Sequence, residues 1–405
     1  MKRTIIRIGN VADIGRGSSP RPITDKKYFE NGEIPWIKIA DATASGKYIY
    51  ITKEYVNDVG ASYSRKMKPG TLILSASGVS LGIPHFLGVE GCIHDGWIYM
   101  DNIHDIDKQY LYYLLLTMRP YFDNLSYGAA IQNINTTILS KTKIEVPGIQ
   151  SQEKIGLLLS AYDNLIENNN KRIKLLEQMA ENLYKEWFVR FRFPGYEDVG
   201  FIDGFPKKWE KVKLDDVLNK IATGLNPRKN FVLGEGENFY VTIKNMADNT
   251  VYLDDKCDKV NDDAIIKINK RSDLKIGDLL FSGIGTIGRV CLIDIPTNNW
   301  NISESVFTMR ANKKISSEYL YMLLISQDVQ NYCQSKANGS AQKGIRMGDL
   351  RKYTFLLPTK NVINDFTNQI SPILRNVSFL RNENKNLIQQ RDMLLPRLMS
   401  GKLEV

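Results

Sequence analysis

The sequence predicts an α+β protein in which one mixed α/β domain is used twice. Each copy is followed by a long α-helix, and the two helices pack as an antiparallel coiled coil. Three observations predict this. Segments of the chain recur roughly 210 residues apart, the mark of a duplicated unit. Within each copy, short β-like runs alternate with turn residues. After each copy the texture changes to a glycine-poor stretch with apolar residues every seven positions.

The recurrences fix the alignment of the copies. Lys68–Gly78 (KPGTLILSASG) returns 207 positions later as Lys275–Gly285 (KIGDLLFSGIG), and Tyr110–Leu116 (YLYYLLL) returns 209 later as Tyr319–Ile325 (YLYMLLI). Tyr127–Leu139 returns 211 later as Asn338–Leu350. Offsets that climb along the chain are those of two copies differing by small loop insertions. At the start of each copy, Ile14–Pro22 matches Ile221–Lys229, setting Gly17 on Gly224, Pro20 on Pro227 and Arg21 on Arg228.

Taken in order, Ile34–Ala40 and Phe239–Asn245, then Thr71–Ser77 and Asp278–Ile284, read as strands bounded by turns. The Tyr/Leu-rich repeat has few β-branched residues and follows polar ones, so it reads as a buried helix in each copy. The first long helix carries one seam through Leu159, Ile166, Ile173, Ala180 and Trp187, and a second through Ile155, Tyr162, Asn169, Leu176 and Leu183. The second helix repeats Phe366, Ile373, Leu380, Leu387 and Leu394, accompanied by Ile370, Val377, Asn384, Arg391 and Leu398. About 36 residues per helix gives a length of about 54 Å. A polar residue in such a seam is costly unless partnered, and it fixes register or partner choice. The expected division is 1–151 for the first domain, 152–190 for the first helix, 191–360 for the second domain and 361–405 for the second helix.

At 405 residues, 43% hydrophobic and 24% charged, the chain has room for several cores and is not of disordered composition. No run approaches the 18 or so apolar residues of a membrane span, nor is there a secretory leader, so a cytoplasmic protein is expected. Cys92, Cys257, Cys291 and Cys333 lack CxxC spacing and read as buried, reduced thiols rather than zinc ligands. A net charge of +9 favours a polyanionic partner.

No catalytic constellation repeats. His85, His94 and His104 all lie in the first copy, without counterparts in the second. The GxGxxG of Gly283–Gly288 follows a strand but precedes the β-branched RVCLIDIP, so it reads as a turn between strands and not as a nucleotide loop. A phosphate-binding GxxxxGK[ST] loop and an amino-methyltransferase Asn/Asp-Pro-Pro-aromatic motif are both missing from the sequence. What repeats is a set of polar turns suited to nucleic acid. The first copy offers Arg16, Ser18, Arg21, Lys38, Ser77, Gln132, Asn133 and Asn135; the second offers Asn226, Arg228, Lys229, Lys244, Arg289, Gln342, Lys343 and Arg346. Arg and Lys donate to guanine, Asn and Gln pair with adenine, and Ser and backbone amides hold phosphates. The turns are polar in both copies while their residues differ, as expected of one scaffold reading two sequences.

The order domain, helix, domain, helix resembles the specificity subunit of type I restriction–modification enzymes. The resemblance rests on RDMLLPRLMSGKL (Arg391–Leu403), EVPGIQSQEKI (Glu145–Ile155) and GDLLFSGIGTIGRV (Gly277–Val290). It implies two target-recognition domains, each reading half of a split, asymmetric duplex DNA site, with the helices as a ruler for the spacer. It further implies docking of two methyltransferase subunits and of restriction–translocase subunits, and no catalysis by this chain. S-adenosylmethionine, ATP and Mg would belong to those partners, leaving no cofactor or metal here. The second helix lacks the YKEWF ending of the first (Tyr184–Phe188), a departure that predicts unequal surfaces at the two helix ends. Two other classes compete: a self-contained DNA-modifying enzyme, which would need a catalytic motif, and a duplicated coiled-coil interaction scaffold, which would not bind duplex DNA.

Overall fold

A computed structural model describes residues 3–43, 45–125, 133–337 and 343–405. In the first copy a five-stranded sheet runs in the order Asp13–Arg16, Trp97–Asp101, Leu72–Ser75, Pro84–Leu87, Tyr48–Ile49. A four-stranded sheet runs Glu54–Val56, Ile34–Ile37, Gly91–Ile93, Arg65–Met67. The second copy repeats both orders with one edge strand fewer in each. They run Leu218–Thr223, Val306–Ala311, Leu279–Ser282, Val290–Leu292, and then Asp258–Val260, Asn238–Val241, Trp300–Ile302. Even the parallel pairing is kept, Trp36 opposite Cys92 and Phe239 opposite Trp300.

Two kept glycine positions show why these turns tolerate no side chain. At Gly17 a Cβ would lie 2.2 Å from the His94 carbonyl oxygen, and at Gly224 it would lie 1.6 Å from that of Ile302. Gly70 and Gly277 sit at φ +84° and +88°, which an L side chain adopts only with strain.

The Tyr/Leu-rich repeats are helices, Lys108–Thr117 and Ser317–Ile325, with six buried residues each. Each has an oxygen-bearing N-cap at the matching position. The Asp107 carboxylate accepts from the Tyr110 amide at 2.7 Å, and the Ser316 hydroxyl from the Tyr319 amide at 3.1 Å. No helix follows Gly288; strand Val290–Leu292 pairs straight back onto Leu279–Phe281. The four cysteines are buried and unbridged.

The two long helices span Ile149–Tyr184 and Lys360–Met399, 36 and 40 residues. A π-helical turn, Lys185–Val189, extends the first. The chain separates into two compact units, Met1–Lys171 with Leu380–Val405, and Arg172–Phe379. Each unit thus takes part of both helices, because each half of the helix pair shares a core with its own sheet domain. In the first unit Ile155 and Leu159 pack with Leu398 and Met399 among the residues of that domain's core. In the second, Ala180, Tyr184 and Trp187 pack with Ile363, Phe366 and Ile370.

In both units early residues of one helix meet late residues of the other, so the helices run antiparallel. Of the eight expected seam residues, Leu159, Ile173, Ala180 and Leu380 are buried and Ile166, Ile373, Leu387 and Leu394 half-buried. The polar seam residues have partners. Asn169 Nδ2 donates to Glu383 Oε2 at 2.7 Å and to Asn384 Oδ1 at 3.0 Å, and Arg391 Nη1 donates to Asp163 Oδ1 at 2.5 Å.

Candidate nucleic-acid interface

Five segments come together in each copy, tied by four backbone hydrogen bonds of which three correspond between the copies. In the first copy the Ala76 amide donates to Gly96 O (2.8 Å), Ile134 to Ala76 O (2.8 Å), His94 to Ile37 O (3.0 Å) and Ser18 to Ile93 O (3.2 Å). These bonds gather the Arg16–Arg21 loop, Lys38, the His94–Gly96 turn, Ser77 and Asn133. In the second copy Gly283 donates to Ser305 O (3.0 Å), Ile345 to Gly283 O (2.8 Å), Ser303 to Val241 O (2.9 Å) and Gly224 to Ser303 O (3.2 Å). They gather Asn226 through Lys229, Lys244, the Ser303–Ser305 turn, Gly283–Arg289 and Lys343–Arg346. The isolated bridges Ser77–Asn133 and Ile284–Gly344 match at the 207 and 211 offsets of the sequence repeats.

Within this shared frame the side chains behave differently. In the first copy Arg21 is ion-paired with Asp95 and Lys38 with Glu54. Lys38 also lies 5.1 Å from the Trp36 ring centre, and Arg16 Nε donates to the Asp95 carbonyl at 2.7 Å. In the second copy Arg228, Lys229, Lys244, Lys343 and Arg346 are exposed, with no ion-pair partner among the described residues. Such free cations suit phosphates, whereas a braced, fork-shaped guanidinium suits a base edge.

Two of the expected contact residues carry scaffold roles that the sequence reading did not assign. Asn135 caps helix Thr136–Lys141, its Oδ1 accepting from the Ile138 amide at 2.8 Å. Asn precedes helices for this reason, and the cap satisfies an otherwise unpaired amide. Arg289 Nη1 donates to the carbonyls of Ile243 (3.2 Å) and Met246, which holds the turn bearing Lys244. Asn226 accepts at its carbonyl from Asn230 Nδ2 at 2.9 Å, and Ser18 accepts at its carbonyl from the Ser64 hydroxyl at 2.6 Å. Gln132 and Gln342 lie outside the described residues.

Sequence reasoning missed Asp95, the acid at the centre of the first cluster. Its signal was available: with the 209 offset, Asp95 falls on Glu304, an acid at the same turn of both copies. The histidines hold structure. His85 Nδ1 lies 2.9 Å from Gly46 O, with burial pushing its pKa down, and His94 Nδ1 accepts from the Gly96 amide at 2.9 Å. No cluster of three or more His, Cys, Asp or Glu is placed to hold a metal among the described residues. None of their helices is long and apolar enough to cross a membrane.

Comparison with known proteins adds to this geometry. The family profile described as the type I restriction modification DNA specificity domain matches twice, over residues 3–178 and 206–390. The MjaIX type I restriction enzyme specificity subunit of Methanocaldococcus jannaschii is 24% identical, covering 98% of this chain and 93% of the relative. The HindI specificity subunit of Haemophilus influenzae is 22% identical over 97% of this chain and 98% of its own. Among solved structures, the type I restriction–modification S subunit of M. genitalium superposes with a TM-score of 0.63 at 14% identity, covering 98% of this chain and 96% of that one.

Proposed function

The chain belongs to the type I restriction–modification specificity subunits, and from that premise we propose that it reads a bipartite, asymmetric site on duplex DNA. Each copy contacts one half-site through its cluster of five segments, and the helix pair sets the length of the unread spacer. The chain docks two methyltransferase subunits and restriction–translocase subunits and performs no chemistry itself. S-adenosylmethionine, ATP and Mg act in those partners, in the cytoplasm.

One observation supports this reading above the others. Three matching backbone bonds assemble the corresponding turns in both copies, while the side chains on them differ. A fixed frame with variable polar tips is what base reading by one scaffold on two sequences requires. An enzyme that worked alone would instead need reacting groups, and among the described residues no such set recurs in the two clusters. A pure protein scaffold would not need free cations on one of them.

Exchanging residues 1–151 for those of a relative tests the proposal, with methylated adenines mapped in cells that also carry the methyltransferase subunit. One half of the methylated site should change while the other half and the spacer persist. Removal of one heptad from each long helix should shorten the spacer and leave both halves intact. Methyl transfer by the purified chain without partners, or a change in both half-sites after the exchange, would overturn the reading.

A further inference from the structure

Asp95 is an acid on a face expected to meet phosphates, and it binds three parts of one loop at once. Its carboxylate accepts from Arg21 Nη2, its carbonyl accepts from Arg16 Nε at 2.7 Å, and its amide donates to the Ser19 hydroxyl at 3.2 Å. The second carboxylate oxygen lies 3.0 Å from His94 Nδ1. Stability does not account for the pair. The Arg21 side chain is 66% exposed and Asp95 31%, and an exposed pair contributes about 0–1 kcal/mol. The pairing does remove rotamer freedom from a long side chain, and it leaves the remaining N–H groups of a flat fork free. It also offsets the charge that would make Arg21 a phosphate contact.

The second copy provides the contrast. Glu304, at the position of Asp95, accepts from the Tyr240 hydroxyl at 3.3 Å, and Arg228, at the position of Arg21, is exposed and unpaired among the described residues. The same acid therefore braces an arginine in one copy and a tyrosine in the other.

Resting on the DNA-reading proposal above and going further, we propose that Arg21 reads a guanine in the major groove of the first half-site and that Asp95 is its positioning residue. The guanidinium fork matches the guanine O6 and N7 acceptors, and a good bidentate contact discriminates by roughly 5- to 150-fold. Arg228 contacts the backbone and reads no base.

Selection of the full chain and its variants on a randomised duplex library, followed by sequencing, tests this. Wild type should select a guanine at one position of one half-site. Arg21→Ala should flatten that position alone. Arg21→Lys should flatten it too while keeping most of the overall affinity, because a lysine retains the charge without the fork. Asp95→Asn should flatten the same position by a smaller factor, and Arg21→Ala with Asp95→Ala should be no worse than Arg21→Ala. Arg228→Ala should weaken all sequences alike and lower the salt slope by about 1.

A merely structural Asp95 would instead lower the melting temperature of Asp95→Asn or blur every position of the half-site. Uniform loss across sequences in Arg21→Ala makes Arg21 a phosphate contact, which overturns this inference and leaves DNA reading intact. Absence of sequence-selective binding by wild type overturns both.

Discussion

The two copies differ in what accompanies the apolar core that seats each on the helix pair. In the first unit a polar set stands beside the core of Ile155 and Leu159: Lys47 Nζ donates to the Tyr113 hydroxyl (3.0 Å) and to Ser160 Oγ (2.9 Å), and Tyr113 in turn donates to Asp163. Arg391, from the other helix, completes the set on Asp163 Oδ1. In the second unit the matching places hold Met322 and Leu374, within an apolar core that includes Tyr184, Trp187, Tyr319 and Phe366. One contact survives in both. Ser160 Oγ donates to Gln109 Oε1 at 3.3 Å, and Ser371 Oγ, 211 residues on, donates to Glu318 Oε1 at 3.0 Å. One fold can thus be seated on a helix with or without buried charge beside its hydrocarbon, and each copy's seat is its own.

The largest expected effect comes from breaking the polar seat. Asp163→Ala strips Tyr113 and Arg391 of a common acceptor, and it leaves Lys47, whose Nζ lies 4.0 Å from Asp163 Oδ2, buried without its nearest counter-charge. Loss of one partner of a buried pair costs about 3–5 kcal/mol. The matching change, Leu374→Ala, removes a half-buried side chain and should cost about 2 kcal/mol, the low end for such truncations. Denaturant unfolding of both variants compares the two seats directly. Equal losses would show that the charge network is no more critical than the hydrocarbon it replaces.

A smaller effect of opposite sign is expected when the first seat is rebuilt in the style of the second. Lys47→Met, Tyr113→Met, Asp163→Leu and Arg391→Leu, made together, remove every ion and leave none stranded. Exchange of a buried ionic set for packed apolar residues is neutral or stabilising by about 1–4 kcal/mol. The midpoint of unfolding should hold or rise. A fall beyond that of Asp163→Ala alone would mean that the network stabilises more than the hydrocarbon that replaces it.

This difference between the seats also shows where the sequence was readable. The heptads of both helices were legible because packing repeats every seven residues and leaves a periodic trace. Asn169, Asn384 and Arg391 stood out as polar positions in that trace, and each proved to have a polar partner. Lys47 did not stand out. It comes from an edge of the sheet domain, and only tertiary structure brings it to Ser160, 113 positions away. The turn clusters were legible in part for a similar reason. Duplication exposed the frame and the polarity of Arg21, Ser77 and Arg228, but the pairing of Arg21 with Asp95 spans 74 positions and has no periodicity to reveal it. Asn135 and Arg289 also serve as a cap and a carbonyl clamp, roles that left no separate trace because they use the same residue types as a base contact.

The smallest expected effect separates the seats by pH. Burial pushes Lys47 down to about 8, against the attraction of Asp163. An unfolded lysine titrates near 10.4, so between about pH 8 and 10 the unfolded chain holds a proton that the folded chain has released. Stability therefore rises with pH across that window, by on the order of 2 kcal/mol from this group. The buried thiols work the other way. Cys257 and Cys333, in the second unit, are pushed up to about 11 and about 12, so the folded chain keeps protons that unfolded thiols lose, and stability falls through the same range. Cys92, also raised by burial, offsets part of the lysine's contribution in the first unit. Above about pH 10 the buried phenols of Tyr112 and Tyr113, held above their usual range, add a further fall. Because thiols and phenols are common to both proteins, the difference between wild type and Lys47→Met isolates the lysine. Denaturant midpoints should diverge from pH 8 to pH 10, with the wild type gaining on the variant. Parallel curves would mean that Lys47 stays charged against Asp163 in the folded chain, and the first seat would then be a permanent ion network at every pH the protein meets.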